Sequence, residues 1–142
     1  MSLSCFNYGA NAVCFKKNNQ KYGMICAWAT QVDYDKIVML LGAQSTTGQN
    51  IIKGDIIGVS VLSTSQEKEM NILGNNHSNQ VDKFVNLDYT EIDSAILINN
   101  ASINMIVEVI DVSHLSSIEE DNLIYGVIKS YTKTDKLMMT IN

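Results

Sequence analysis

Two stretches concentrate the side chains that could do chemistry. The first is "CAWATQV" (residues 26–32), where Ala27, Ala29, Thr30 and Gln31 surround the only tryptophan, Trp28. Small side chains at 27 and 29 let a flat ligand come close to strand backbone, whose N–H and C=O groups bond the edge of a planar heterocycle. Thr30 and Gln31 add a hydroxyl and an amide. The second stretch is "QSTTGQN" (residues 44–50), where Ser45, Thr46 and Thr47 stand at the start of a short helical pattern. Free N–H groups and the helix dipole make such a place an anion site. The chain contains no arginine. Hydroxyls and N–H groups are therefore the expected phosphate ligands, with Lys53 or Lys83 as point charges.

A planar ring on a strand followed by a phosphate on the next helix describes a mononucleotide. Flavin mononucleotide (FMN) fits best, because the cofactor then carries the redox chemistry and the protein needs no nucleophile. Each element also has a plainer reading. A hydroxyl cluster before a helix often serves only as its N-cap, and small residues in a strand often mark tight packing.

Other chemistries find little support. There is no GxxxxGK[ST], no GxGxxG, no GxSxG and no HExxH. His77 and His114 lie far apart without ligand-like neighbours, and Glu119-Glu120-Asp121 reads as a solvated hairpin tip. Cys5, Cys14 and Cys26 make no CxxC pair, which argues against a disulfide framework or zinc knuckle and for reduced thiols in the cytoplasm. A formal charge of −5 with no basic stripe makes nucleic acid an unlikely partner. No signal-peptide pattern or membrane-length apolar run is present, so no membrane association is expected.

The elements that must position these residues read as mostly strands within one domain, residues 1–142. Residues 7–15 and 22–32, joined by the polar turn "KKNNQ", predict a hairpin. "KIVMLLG" (36–42) reads as a strand buried on both faces. A short helix follows, starting near Ser45 and Thr46 and stopping at Gly54. After a strand at 56–62, Thr64 and Glu67 form a capping-box pattern for a helix over 64–74, with Met70 and Leu73 facing the core. Residues 75–84 read as a loop with a helical turn. Strands are expected at 94–99, 102–112 and 122–132, an acidic turn at 117–122, and an edge strand in "KLMMTIN". Many short strands with helices in the middle indicate a small barrel with helical insertions.

The chain resembles the flavin reductase-like, FMN-binding split-barrel family over roughly residues 7–133. "YGMICAWATQVDYDKIVMLLG" resembles the family's G-M-T-A-S-W-V-T-Q-V-S strand and its successor. "SVLSTSQEKEMNILG" resembles its V-N-V-L-S strand and following helix, and "HSNQVDKF" its S-G-R-D-V-D-K-F. "SAILINNASINMIVEVIDV" and "IYGVI" resemble its A-x-x-x-L-E-C-x-V and I-G-E-V strands.

The resemblance implies a mainly β fold, a Greek-key-like six-stranded split barrel with two or three short helices. It also implies a homodimer holding non-covalent FMN at the subunit interface. Trp28, Ala29, Thr30 and Gln31 would line the ring, and Ser45, Thr46 and Thr47 would bind the phosphate. Lys83 and Phe84 would lie near the flavin, on the same or the second subunit. The expected activity is flavin reduction with NADH or NADPH as electron donor, passing electrons to a redox protein or a small-molecule acceptor. The rivals are a non-enzymatic FMN carrier and a cofactor-free interaction domain. Departures from the family pattern fall at Asp35-Lys36, where the family has Asp-Pro-Pro, and at Asn79-Gln80, where it has Gly-Arg. They bear on nicotinamide handling more than on flavin binding, and the missing arginine disfavours recognition of the NADPH 2′-phosphate.

Overall fold

A computed structural model describes residues 3–42, 45–75 and 82–141. In chain order the elements are β1 (Tyr8–Gly9), β2 (Asn11–Lys17), β3 (Gln20–Cys26), β4 (Ala29–Asp33), β5 (Lys36–Leu41), α1 (Thr46–Gln49), β6 (Ile56–Val61) and α2 (Glu67–Asn75). A 3-10 turn at Lys83–Asn86 follows, then β7 (Tyr89–Ile92), β8 (Ala95–Ile98), β9 (Ile103–Leu115), β10 (Ile118–Lys133) and β11 (Thr140–Ile141).

All the ladders are antiparallel. The order β4-β5-β10-β9-β6-β2, with β3 also on β2, closes a ring because β3 and β4 are successive pieces of one path. The fold is therefore mainly β and barrel-like, as expected. The β2–β3 hairpin turns through Asn18 and Asn19 at φ 54 and 64. Two left-handed central residues give the two-residue turn whose twist matches its strands, and asparagine tolerates that conformation well.

The single strand expected over 22–32 is broken at Ala27–Trp28. Up to Cys26 the chain pairs with β2, whereas from Ala29 it pairs with β5. The corner is tight, with Ala29 N–H donating to Ala27 O at 3.2 Å, a bond spanning only three residues. The small residues Ala27 and Ala29 thus also serve a change of strand partner.

Burial on both faces belongs to β2 rather than to β5. Along β2, Val13 and Phe15 enter the barrel core, while Ala12 and Cys14 enter a second core with Leu73, Phe84 and Ile96. β5 instead alternates. Ile37, Met39 and Leu41 point into the barrel, leaving Val38 and Leu40 half-buried outside. Where β8 crosses β6, a Cβ on Gly58 would stand 2.0 Å from Ile96 O, so only glycine permits that approach.

The helices differ in detail from the sequence reading. α2 begins at Glu67 and runs one residue past Gly74. Its entry is fixed by Ser63 N–H donating to Gln66 Oε1 at 3.0 Å, one residue earlier than the Thr64/Glu67 box. Thr64 N–H is instead taken by Leu137 O at 2.9 Å, tying the entry to the C-terminal segment. Leu73 is buried and Met70 packs beside it, as expected. Most of the 75–84 reading lies outside the described residues, as does His77. β7 had not been expected, the acidic 117–122 stretch mostly belongs to β10, and "KLMMTIN" contributes only the short β11 and a bridge from Met138 to Ser63.

Candidate functional site

The β3–β4 corner leaves β4 at the end of the sheet order, with one edge outside the ladder. Side chains alternate along β4. Thr30 lies opposite Val38 on the outer face, while Ala29 lies opposite Met39 toward the barrel. Trp28 O accepts from Leu40 N–H at 2.9 Å, and Leu40 is in turn paired with Leu123 of β10. An outer apolar row therefore runs Trp28, Leu40, Leu123.

A cavity of about 590 Å³ lies over this row. Trp28, Ala29 and Thr30 line one side, and Val38, Met39, Leu40 and Leu123 form the floor. Phe6, Asn7 and Tyr8 wall it from the N-terminal segment. None of these side chains carries a charge at neutral pH, so the cavity suits a neutral ring system with polar edges. Trp28 is 58% exposed, so its indole is not filling the core.

One residue further along the same rungs, Leu41 pairs with Asn122, and Asn122 Nδ2 donates to Gly48 O of α1 at 3.0 Å. Asn122 shares the inward face of its rung with Leu41, so that bond seats the short helix against the end of the barrel. Ser45 is the N-cap: its Oγ accepts from Gly48 N–H at 2.8 Å and donates to Gly42 O at 2.9 Å. A Cβ on Gly48 would lie 2.6 Å from Gly42 O and 2.8 Å from Ser45 Oγ, so the turn closes only around a glycine. Thr47 is buried, and Thr46 is left half-buried at the first turn. The structure thus brings Trp28, Ala29 and Thr30 to the cavity, whose lining does not include Ser45, Thr46 or Thr47. Gln31 turns the other way, and its Nε2 donates to Tyr34 O at 3.1 Å.

Lys83 and Phe84, expected near the flavin, are interior residues in this chain. Lys83 is 6% exposed, and its Nζ donates to Gly23 O at 2.7 Å and Leu73 O at 2.9 Å. It clamps the last turn of α2 onto β3, and burial holds its pKa below the ordinary lysine value. Phe84 packs in the second core, edge-on to Tyr89. Asp82 caps the turn by accepting from Phe84 N–H at 3.0 Å, so the "DKF" stretch builds structure here. Lys17 stands at the C-terminal end of α1, where its Nζ bonds Asn50 O and pairs with Asp55 at 2.6 Å. Lys53 is exposed in the turn after α1.

Sequence reasoning missed Phe6, Asn7 and Tyr8, and also Val38, Leu40 and Leu123. The first three leave no periodic signal, because β1 is only two residues long. Val38 and Leu40 lie in the strand read as buried on both faces, and Leu123 in a strand whose outward face carried no distinguishing pattern.

Fold and site define a class: a split β-barrel with a cavity on its outer sheet face, lined among the described residues by uncharged side chains, and a serine-capped short helix at the barrel end. The chain belongs to the flavin reductase-like domain family, whose model matches residues 3–138. Among solved structures it is similar to an NADH:FAD oxidoreductase of Streptomyces globisporus, with a TM-score of 0.86 at 19% identity, covering 96% of this chain and 82% of that one. It is also similar to an FMN-binding protein of Thermus thermophilus, with a TM-score of 0.81 at 13% identity over 92% and 74% of the two chains. A flavoredoxin of Methanosarcina acetivorans gives 0.80 at 12% identity over 94% and 73%. At such identities the likeness is one of fold. No curated protein sequence matches significantly. No described helix is long and apolar enough to cross a membrane.

Proposed function

We propose that the protein binds FMN non-covalently and acts as a flavin reductase, taking electrons from NADH or NADPH and passing them to a downstream acceptor. The observation that carries this reading is the cavity of about 590 Å³ beside Trp28, lined by uncharged side chains. When bound, a flavin supplies the hydride and electron transfer. The chain's own residues bind and orient it. Val38, Leu40 and Leu123 offer an apolar floor. The outer edge of β4 offers backbone N–H and C=O groups that no sheet partner uses. An N–H donor directed at the polar edge of a ring stabilises negative charge developing there. Thr46 and the first-turn N–H groups of α1 would hold the phosphate.

The working form in this reading is a cytoplasmic homodimer with the cavity at its interface. Phe6, Trp28, Val32 and Tyr34 support it, being large apolar residues left exposed around β4, a pattern that marks interaction surfaces. The acceptor, a redox protein or a small molecule, would approach the open side. Among known donors NADH is favoured, because the chain has no arginine to pair with a 2′-phosphate.

The test begins with titration of FMN and FAD into purified protein, followed by flavin fluorescence. Stopped-flow mixing of the loaded protein with NADH comes next. Saturable quenching by FMN, with bleaching of the flavin band within seconds, is the expected result. Binding without bleaching leaves the flavin-carrier reading, and absence of quenching by either flavin overturns both.

A further inference from the structure

The open end of the barrel holds a second cavity, of about 370 Å³, that meets the first at Asn7, Tyr8, Ala29, Thr30 and Met39. Its deep wall is the interior row of the barrel: Ile37, Met39, Val59, Met105 and Ile128. Val61 and Ile103, paired across β6 and β9, form the rim. Met138 and Met139, held by the bond from Met139 N–H to Leu62 O at 2.9 Å, cover one side.

We infer that this barrel mouth is a binding site for an uncharged, mainly apolar small molecule, distinct from the cavity beside Trp28. The space opens to solvent, and its deep wall is aliphatic and thioether, so a guest seated there removes apolar surface from water. A charged guest is disfavoured, because no Lys, Asp, Glu or His lines the space among the described residues. The polar side chains on its lining are Asn7, Tyr8, Asn11, Thr30, Gln31 and Thr140, and Asn11 already gives its Nδ2 to Cys26 O at 3.0 Å. The guest therefore has an apolar body carrying a few polar atoms. Met39, Met105, Met138 and Met139 give walls that adapt to shape. Barrel mouths are preferred sites for such ligands. Ala29 stands between the two spaces, with only a methyl group on its side chain, so occupants of the two cavities would lie on either side of β4.

The test uses a neutral probe, N-phenyl-1-naphthylamine, titrated into the protein without added flavin. Saturable fluorescence enhancement at one probe per chain is expected. Val61→Trp and Ile103→Phe narrow the rim and line only the mouth, so each should weaken the probe at least tenfold. Both should leave FMN quenching within twofold and melt near the parent. Leu123→Trp, filling the first cavity, should do the reverse. The proposal is overturned if enhancement does not saturate or if both rim variants bind the probe as the parent does. It is also overturned if probe binding disappears as rising protein concentration assembles a dimer, since a second copy then covers the mouth. Probe binding that follows these expectations in a protein that fails to bind FMN upholds the mouth site and sinks only the flavin reading.

Discussion

The turn that starts α1 offers a demanding test, because one glycine and one serine hold it together. Gly48→Ala places a methyl 2.6 Å from the Gly42 carbonyl oxygen, which is backbone, and 2.8 Å from Ser45 Oγ. The serine can rotate away, but then its 2.8 Å bond from Gly48 N–H is lost. Losing an N-cap costs about 1 kcal/mol, and overpacking against backbone adds roughly 1–3 kcal/mol. Gly48→Ala should therefore destabilise by about 2–4 kcal/mol, and Ser45→Ala by about 1 kcal/mol. For a domain near this size each kcal/mol lowers Tm by roughly 3 °C. The two substitutions break the same hydrogen bond. The double variant should then cost about 1 kcal/mol less than the sum of the singles, a coupling well outside the ~0.5 kcal/mol of independent sites. Urea unfolding of the four proteins measures this cycle, and FMN titration of the same proteins should show weaker binding wherever the turn is lost. Additive stabilities, or a Gly48→Ala melt equal to the parent's, would refute the claim that the glycine exists to close this cap. Lost stability with unchanged FMN affinity would place the phosphate elsewhere.

Thr46→Val with Thr47→Val should weaken FMN binding by about 1 kcal/mol for each hydrogen bond removed, read by fluorescence titration. Thr46 should account for most of the loss, since Thr47 is buried. Lys83→Met leaves the Gly23 and Leu73 carbonyls without the ammonium that now bonds them, and should lower the urea midpoint. Burial lowers the Lys83 pKa from the ordinary 10.5. Between the lowered value and 10.5 the unfolded chain binds more protons than the folded one. This lysine's contribution to stability thus rises with pH across that window, and the methionine variant should lack that rise in urea midpoints measured up to pH 10.5. Burial pushes the Cys14 and Cys26 thiols up to about 12, whereas Cys5 is exposed. Iodoacetamide at pH 8 should add one group per native chain, at Cys5, by peptide mass spectrometry. Rapid labelling of either buried thiol would contradict the packing of β2 and β3.

Local chemistry made much of this protein legible from its sequence. The Asn18-Asn19 turn, the β-branched strands and the helix that buries Leu73 follow from neighbours a few residues apart, whose preferences act wherever the segment sits. The small residues beside the lone indole and the hydroxyl cluster before the short helix were also visible, but the break of the strand at Ala27–Trp28 was not. Tertiary structure decided what local pattern does not encode. An apolar run such as residues 36–41 reads alike whether one face or both are covered, and only the β4–β5–β10 pairing left Val38 and Leu40 as a cavity floor. "DKF" reads as a motif near a ligand, yet the return of α2 to β3 supplies carbonyls that take the Lys83 ammonium inside. Phe6, Asn7 and Tyr8 become a wall only because β1 pairs with β11, 131 residues away at Thr140 from Gly9. Contacts between segments so distant are fixed by the closing of the barrel, and no stretch of the chain read by itself carries them.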